Sequence, residues 1–190
     1  MLKITGGRLR GRVLKAPPGL ATRPTGAKMR QALFNILGPR VADARVADLY
    51  AGSGALGLEA LSRGAASCLF VEKSRPTAQL IQASLDALSL SEQGKVLAAG
   101  LGAAVGALRA AAPFDLVLAD PPYGKGQVGR LLELAAQGWL LGPEGMLIIE
   151  HSPKEAPEAT GGIEIVDHRR YGQSELSFLA PSSDSRGEGT

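Results

Sequence analysis

Residues 48 to 61 read Asp48-Leu49-Tyr50-Ala51-Gly52-Ser53-Gly54-Ala55-Leu56-Gly57-Leu58-Glu59-Ala60-Leu61. An apolar run ends at Tyr50, small residues follow at 51 to 54, and leucines at helical spacing come next. This order predicts a strand, a tight glycine turn and a helix. Gly52 and Gly54 permit positive φ angles, and the start of the helix offers unpaired N–H groups to a ligand.

Two classes of enzyme use a turn of this kind. The turn glycines and an acid about 20 residues further on match the fingerprint of dinucleotide-binding enzymes. These residues are Gly52, Gly54, Gly57 and Glu72. The acid before the turn, Asp48, and the later run Asp120-Pro121-Pro122-Tyr123 favour another class. They resemble motifs of the S-adenosylmethionine-dependent methyltransferases that modify exocyclic amino groups.

The order of elements predicts an α/β fold. Strands and helices alternate five times from Val46 onward, which predicts a mostly parallel, Rossmann-like sheet with helices on both faces. Glycine-bounded runs at 163–169 and 175–179 predict an antiparallel C-terminal pair. Ligands of such sheets bind at the carboxyl ends of strands, and three acids fall at these ends. They are Asp48, Glu72 and Asp120.

Caps and apolar runs predict the bounds of single elements. Thr25 is expected to cap a helix from about Gly26 to Leu37, and Ser74 to cap a helix that runs to about Leu88. A further helix is expected from about Val128 to Leu140. The expected strands include 2–4 and 12–14 in the N-terminal hairpin, 114–119, and 145–150. The run 171–174 could border an RNA site or form a plain turn.

The domain organisation follows from composition. Residues 1–24 predict a basic extension with a small β-hairpin, residues 25–180 the catalytic domain, and residues 181–190 a polar, disordered tail. With 190 residues and 45% hydrophobic content, the chain can form one substantial core. No apolar run approaches the roughly 20 residues of a membrane span, and the N-terminus lacks a secretory signal. We therefore expect a cytoplasmic monomer without membrane partners.

Cysteine and histidine content favours no metal and no disulfide. Cys68 is the single cysteine and sits in an apolar run, so we expect it to be a packing residue. His151 and His168 have no ligand motif around them, and each is expected to be structural. The lack of a cysteine near the predicted active site also disfavours carbon methylation of pyrimidines.

Charge is divided unevenly along the chain. Residues 1–42 contain nine Lys or Arg and no Asp or Glu, whereas the remainder is net negative. This asymmetry favours contact of the N-terminal segment with RNA or DNA phosphates, although a solvated basic loop is the alternative. The expected phosphate contacts are Arg8, Arg10, Arg12, Arg23, Lys28 and Arg30.

The glycine turn suits the cofactor S-adenosylmethionine. The loop would cradle its methionine part, with Asp48 near the amino group and Glu72 accepting bonds from the ribose hydroxyls. The expected cofactor contacts are Asp48, Ala51, Gly52, Ser53, Gly54, Glu72, Lys73 and Leu101. Methyltransferases often place an Asp or Asn near the adenine after the third strand, but Gly100 stands there. Adenine contact must then rest on backbone groups and apolar packing.

The Asp-Pro-Pro-Tyr run suits an amine acceptor. An exocyclic amine is a poor nucleophile, because its lone pair is delocalised into the ring. The Asp120 carboxylate and the Pro121 carbonyl can accept its two hydrogens and expose that lone pair. Pro122 keeps the backbone extended, and Tyr123 can stack on a flipped base. These four residues are the predicted catalytic residues.

A wider set of motifs resembles one family. It comprises Gly6-Gly7 with Arg10-Gly11-Arg12, Arg23-Pro24-Thr25 with Arg30 and Phe34, the stretch from Asp48 to Arg63, and Asp120-Pro121-Pro122-Tyr123. Over about residues 2 to 180 this pattern resembles the RsmD family of class I methyltransferases. The resemblance implies methylation of the N2 amine of one guanine, of the guanine-966 type, in 16S rRNA. It also implies that the partner is the small ribosomal subunit or its assembly intermediate.

Other activities remain open from the residues alone. Nothing in Asp-Pro-Pro-Tyr reads the base, so adenine N6, cytosine N4 or a glutamine amide could take the methyl group. An NAD(P)-dependent oxidoreductase would use the glycine turn but would leave Asp120 to Tyr123 unexplained. A noncatalytic RNA-binding module is the third alternative, and the intact acids at the strand ends disfavour it.

Overall fold

The computed structural model describes residues 2–15 and 24–182. The chain divides into two compact units, Met1–Ala104 and Val105–Thr190. Predictions for residues 16–23, including Arg23, and for 183–190 lie outside the described residues. In the part of the chain that the structure describes, no helix is long and apolar enough to cross a membrane.

The first unit contains a parallel sheet. Its elements are α1 (Pro24–Leu37), a short 3-10 helix (Gly38–Val41), β1 (Arg45–Leu49), α2 (Ala55–Ser62), β2 (Ser67–Glu72), α3 (Arg75–Ala87) and β3 (Gly94–Ala98). The strand order is β3-β2-β1, and both pairs are parallel. Buried residues of β1 and β2, such as Val46 and Phe70, form the core, as expected for strands covered on both faces.

The second unit contains a mixed sheet. Its elements are β4 (Phe114–Ala119), α5 (Gln127–Ala135), β5 (Leu141–His151), a short 3-10 helix (Pro153–Glu155), β6 (Ile163–Tyr171) and β7 (Ser174–Pro181). Helix α4 (Leu101–Ala111) precedes β4. The strand order is β4-β5-β7-β6, in which β4 and β5 are parallel and the other pairs are antiparallel. The predicted Rossmann-like α/β class and its antiparallel C-terminal strand are thus confirmed.

Local signals explain most element boundaries. The Ser74 hydroxyl accepts a hydrogen bond from the Thr77 N–H, so Ser74 is the N-cap of α3, as predicted. The apolar residues that α3 buries, Ala78, Ile81 and Leu85, recur at helical spacing. Strand β4 has the predicted bounds, because Phe114 to Ala119 is an apolar run buried almost throughout.

Several predicted boundaries were wrong. Helix α1 begins at Pro24, so Thr25 lies in its first turn and is not the N-cap; proline suits a first turn because it needs no N–H partner there. Helix α5 ends at Ala135 rather than Leu140, and Gly138 follows with a φ of 76°. Strand β7 reaches Pro181, and the Ser182 N–H donates to the Gly162 carbonyl over 2.7 Å. Pro181 therefore lies in a strand, although composition assigned it to the tail.

The N-terminal hairpin is shorter than predicted. It contains one isolated β-bridge, between Lys3 and Val13, instead of two strands. Backbone bonds from Ile4 N–H to the Arg12 carbonyl and from Leu14 N–H to the Leu2 carbonyl flank this bridge. The hairpin belongs to the first unit, where its loop lies against α2.

Candidate active site

The loop after β1 has the predicted glycine-turn conformation. Tyr50, Gly52 and Gly54 all adopt left-handed backbone angles, with φ of 58°, 53° and 72°. Gly54 is the N-cap of α2, and a Cβ at this position would lie 3.1 Å from the Ile81 side chain. A tyrosine at positive φ is an uncommon, strained conformation that is frequent at functional sites. The loop therefore brings its backbone N–H groups and the start of α2 to the end of β1.

Asp48 is a buried residue that positions α2. It is 1% exposed, and its Oδ2 accepts a hydrogen bond of 2.8 Å from the Gly57 N–H. A Cβ at Gly57 would overlap the Phe70 ring and the Cys68 sulfur, so this glycine allows close packing of helix on strand. Contact between Asp48 and a cofactor amino group stays a prediction.

Glu72 joins the glycine loop to the start of α3. Its Oε2 accepts from the Gly52 N–H at 2.8 Å, and its Oε1 accepts from the Ser74 N–H at 2.6 Å. A carboxylate has about four lone-pair sites, so Glu72 can still accept bonds from ribose hydroxyls. The structure therefore gives Glu72 a role in fixing the loop, beside the predicted role in ribose binding.

The other predicted cofactor residues differ in exposure. Ser53 and Gly54 are buried, Ala51 and Leu101 are half-buried, and Lys73 is exposed. A Cβ at Gly100 would lie 3.9 Å from the Lys73 side chain, which is an ordinary contact distance. The Lys73 side chain therefore passes beside the position where other methyltransferases often carry Asp or Asn.

The Asp-Pro-Pro-Tyr run leaves the carboxyl end of β4. Pro121 is buried, whereas Asp120 and Pro122 are exposed. The Tyr123 side chain is 47% exposed, and its hydroxyl lies 3.3 Å from Glu150 Oε1 and 3.1 Å from Ser174 Oγ. The tyrosine is thus anchored at its hydroxyl while its ring remains open to a stacking partner.

Two acids change the electrostatics at this end of the sheet. The pKa of Asp120 is raised to about 7. The larger cause is burial away from water, and the smaller cause is the negative charge of Glu150. Solvent reaches the Asp120 side chain, so the surrounding protein hinders hydration of the carboxylate without enclosing it. Loss of hydration also raises the pKa of Glu150 and that of Tyr123. Asp120 can therefore exchange a proton near neutral pH.

Glu150 was missed as a site residue, because the sequence indicates only that it ends a strand. Ser174 belongs to the run 171–174, for which the border of the RNA site and a plain turn were both open. The sequence offers a signal for Glu150, because it lies one residue before the end of β5, the strand that follows β4 along the chain. Carboxyl ends of neighbouring parallel strands meet at one edge of a sheet.

The predicted RNA-binding residues are not all on the surface. Arg8, Arg10, Arg12 and Lys28 are exposed, and the Arg8 guanidinium donates to Gln93 Oε1 over 2.7 Å. Arg30 is only 6% exposed, and its Nη2 donates to the Lys3 carbonyl over 2.7 Å. The prediction that Arg30 extends a phosphate-binding surface was wrong.

Arg30 is buried because it pairs with a buried acid, Glu59. The Glu59 side chain is fully buried, and its oxygens lie 3.5 Å from Arg30 Nε and 2.9 Å from Arg63 Nε. Glu59 also accepts bonds from the N–H and hydroxyl of Thr5, at 2.7 and 2.8 Å. A buried carboxylate requires such partners, and these contacts tie the hairpin to α1 and α2.

The glycines of the N-terminal loop serve the same docking. A Cβ at Gly7 would overlap the Ser62 carbonyl, and Gly7 has a φ of 74°. The Ser62 carbonyl accepts from the Arg8 N–H at 2.8 Å, and the Ser62 hydroxyl donates to the Gly6 carbonyl at 2.7 Å. These glycines therefore allow the N-terminal loop to approach the end of α2 closely.

Among the residues that the structure describes, one group of side chains could coordinate a metal. Donor atoms of His151, His168 and Glu175 lie within 4.8 Å of one another. Both ring nitrogens of His151 have protein partners, the Ser152 carbonyl at 2.9 Å and the Ser177 hydroxyl at 2.7 Å. His168 lies 3.0 Å from Glu175. These contacts satisfy the buried polar atoms of the C-terminal strands without an ion.

Comparison with known proteins assigns the family. The sequence model of the family described as "Conserved hypothetical protein 95" matches residues 2–180. YlbH of Bacillus subtilis, named as a candidate rRNA methyltransferase, is 36% identical over 176 residues, with 90% of this chain and 94% of that protein covered. Ribosomal RNA small subunit methyltransferase D of Escherichia coli is 31% identical over 192 residues, with 98% and 92% covered.

A solved structure agrees with this assignment. The structure of yhhF, a candidate methyltransferase from Escherichia coli, matches with a TM-score of 0.81 at 32% identity. The match covers 95% of this chain and 97% of that chain. Together with the family match and the two curated relatives, these similarities confirm the family predicted from the sequence motifs. The chain belongs to the Conserved hypothetical protein 95 family, that is, to the RsmD family of methyltransferases.

Proposed function

We propose that this chain transfers a methyl group from S-adenosylmethionine to the exocyclic N2 amine of a guanine in 16S rRNA. The observation that carries the proposal is the end of β4, where Asp120 has a raised pKa beside an anchored, half-exposed Tyr123. The name of the Escherichia coli relative, ribosomal RNA small subunit methyltransferase D, supports an rRNA acceptor. The proposal implies a reaction in the cytoplasm, on the small subunit or its assembly intermediate.

The cofactor would be held by the loop after β1. Glu72 would accept from the ribose hydroxyls with its remaining lone pairs, and the loop backbone and the start of α2 would hold the methionine part. Bound S-adenosylmethionine supplies an electrophilic methyl group on a sulfonium. The left-handed loop and the buried Asp48 keep these backbone groups in place before binding, which lowers the entropic cost of orientation.

The acceptor amine would be held at the end of β4. Ionised Asp120 and the Pro121 carbonyl would accept its two hydrogens, so that the nitrogen lone pair is freed for methyl transfer. The Tyr123 ring stacks on the extruded base, a contact worth about 1 to 3 kcal/mol in single-stranded nucleic-acid complexes. Formation of the new N–C bond would break the methyl–sulfur bond of the donor, and Asp120 would receive the extra proton from the nitrogen.

A labelling experiment tests this assignment of the acceptor class. The protein is incubated with S-adenosylmethionine carrying a labelled methyl group and with small ribosomal subunits, genomic DNA or ribosomal proteins in separate reactions. We expect label in the 16S rRNA of the subunits. Label in DNA or protein instead would contradict the proposal, and so would NAD binding without S-adenosylmethionine binding in calorimetry.

The exposed arginines of the hairpin predict a salt-dependent RNA contact. Replacing Arg8, Arg10 and Arg12 by Gln should weaken RNA binding and reduce the slope of log affinity against log salt concentration by about 2, because each phosphate contact contributes roughly 0.7 to 0.9. The control replaces three exposed cations elsewhere, Lys95, Arg130 and Lys154. An equal loss of slope in both variants would show that only net charge matters.

A further inference from the structure

Glu150 lies beside Asp120 at the edge of the second-unit sheet. Strands β4 and β5 are parallel, with Leu118 paired to Ile148 and Ala119 paired to Ile149. Continued by one residue, this register sets Asp120 next to Glu150, on strands that lie about 4.8 Å apart. Residues in register point to the same face of a sheet. The end of β4 and β5 therefore presents two carboxyl groups side by side.

Glu150 is also held close to the stacking residue. Its Oε1 lies 3.3 Å from the Tyr123 hydroxyl, and Ser174 lies 3.1 Å from that same hydroxyl. Glu150 is only half-buried, and a carboxylate can accept about four hydrogen bonds. A base stacked on the Tyr123 ring would thus turn one edge toward both carboxyl groups.

The edges of the possible acceptor bases differ beside the amine. In guanine, two ring nitrogens flank the N2 amine, and one of them, N1, carries a hydrogen and is a donor. In adenine and cytosine, the ring nitrogen next to the amine carries a lone pair and is an acceptor. An ionised carboxylate accepts hydrogen bonds and cannot donate them, so it pairs with the guanine edge and repels the other two.

We propose that Glu150 selects guanine by accepting a hydrogen bond from its ring N1–H, next to the amine that Asp120 and Pro121 hold. The inference rests on the proposed function and extends it, because it supplies the base reading that Asp-Pro-Pro-Tyr lacks. Glu150 is a specificity-determining residue here, and its bond to Tyr123 fixes where its carboxylate stands. A role limited to holding Tyr123 would affect all bases equally.

The test compares guanine with 2-aminopurine at the target position. 2-Aminopurine keeps the amine of guanine, but its ring N1 carries a lone pair instead of a hydrogen. Small subunits assembled with either 16S rRNA are methylated by the wild type and by Glu150→Gln. We expect the kcat/KM ratio of guanine to 2-aminopurine to fall by about tenfold or more in Glu150→Gln, because an amide can donate to the lone pair. The missing O6 of 2-aminopurine affects both proteins and cancels in this comparison.

Three further variants separate specificity from positioning. Glu150→Asp keeps a carboxylate and should keep the preference for guanine. Ser174→Ala removes a partner of the Tyr123 hydroxyl and should lower both rates by a similar factor. Glu144→Gln makes the same change at an exposed position of β5 and should leave the ratio unchanged.

The outcomes separate a failure of the inference about Glu150 from a failure of the proposed function. Guanine methylation by the wild type with an unchanged ratio in Glu150→Gln would overturn the inference and leave the proposed function standing. Methylation of neither RNA by the wild type, with intact S-adenosylmethionine binding, would overturn both. A reduced ratio in Glu150→Gln together with a wild-type ratio in Glu150→Asp is the result that supports the inference.

Discussion

Asp120→Ala should lower the rate of methyl transfer by about 10²- to 10⁴-fold, the range found when a positioned catalytic group is removed. The variant loses the oxygen that accepts an amine hydrogen, so the nitrogen lone pair stays delocalised in the ring. Binding of S-adenosylmethionine should be unchanged within about twofold by calorimetry, because the cofactor contacts are assigned to the loop after β1. An Asp120→Ala variant with wild-type turnover would remove Asp120 from the mechanism.

Asp120→Asn is the informative companion of this variant. The amide keeps one carbonyl acceptor at the same place, so we expect a smaller loss of rate than in Asp120→Ala. We expect both variants to fold. The raised pKa of Asp120 means that ionising this side chain is unfavourable in the folded protein, so its removal should not destabilise the fold. Melting temperatures measured at pH 8 should therefore be no lower for either variant than for the wild type.

The pH dependence follows from the same carboxyl group. Asp120 must be ionised to accept from the amine, and its pKa is raised to about 7 by loss of hydration and by Glu150. The wild-type kcat/KM should therefore rise with pH through about 7. In Asp120→Asn the step assigned to Asp120 should be lost, because the amide does not titrate. A flat wild-type profile between pH 6 and about 8 would contradict the assignment.

Glu59→Ala should lower the free energy of unfolding by about 3 to 5 kcal/mol, which is the usual cost of removing one partner from a buried ion pair. Glu59 is fully buried against Arg30 and Arg63, and its loss leaves the Arg30 guanidinium buried without its carboxylate. Thr5 would lose the acceptor of its N–H and of its hydroxyl. Urea unfolding followed by circular dichroism measures the change.

Two controls test the physical reason for this cost. Removing both charges together, in Glu59→Leu with Arg30→Met, should cost less than Glu59→Ala, because no unpaired charge remains buried. Asp167→Ala breaks the exposed pair between Asp167 and Arg169, at 3.0 Å, and should cost less than about 1 kcal/mol. If Glu59→Ala also cost less than about 1 kcal/mol, the hairpin would not depend on this carboxylate.

The elements of the fold were predictable where one physical signal dominated. The apolar run of β4 and the serine cap of α3 gave correct bounds, because burial of both faces and an N-cap leave local marks in the sequence. The end of α5 was missed because apolar residues continue past it to Leu140, although the left-handed Gly138 stops the helix. Hydrophobic spacing alone does not show where a helix ends.

The residue types of the site were predictable, but their partners were not. Arg30 was assigned to the surface, although it precedes Leu33, Phe34 and Leu37 by three, four and seven residues and so shares their buried face. Its partner Glu59 is 29 residues away in the sequence and lies on another helix. The bonds from Tyr123 to Glu150 and Ser174 join residues 27 and 51 positions apart. Contacts between residues far apart in the sequence form only in the assembled fold, and they leave no local pattern in the sequence.

Nucleoside analysis after methyl transfer tests the central claim most directly. Small ribosomal subunits that lack their own guanine methylation are incubated with the protein and labelled S-adenosylmethionine. Their 16S rRNA is then digested to nucleosides and separated by chromatography with mass detection. The label should appear as N2-methylguanosine, which identifies donor, acceptor base and acceptor atom together. Label in N6-methyladenosine or N4-methylcytidine, or no label despite bound cofactor, would contradict the account.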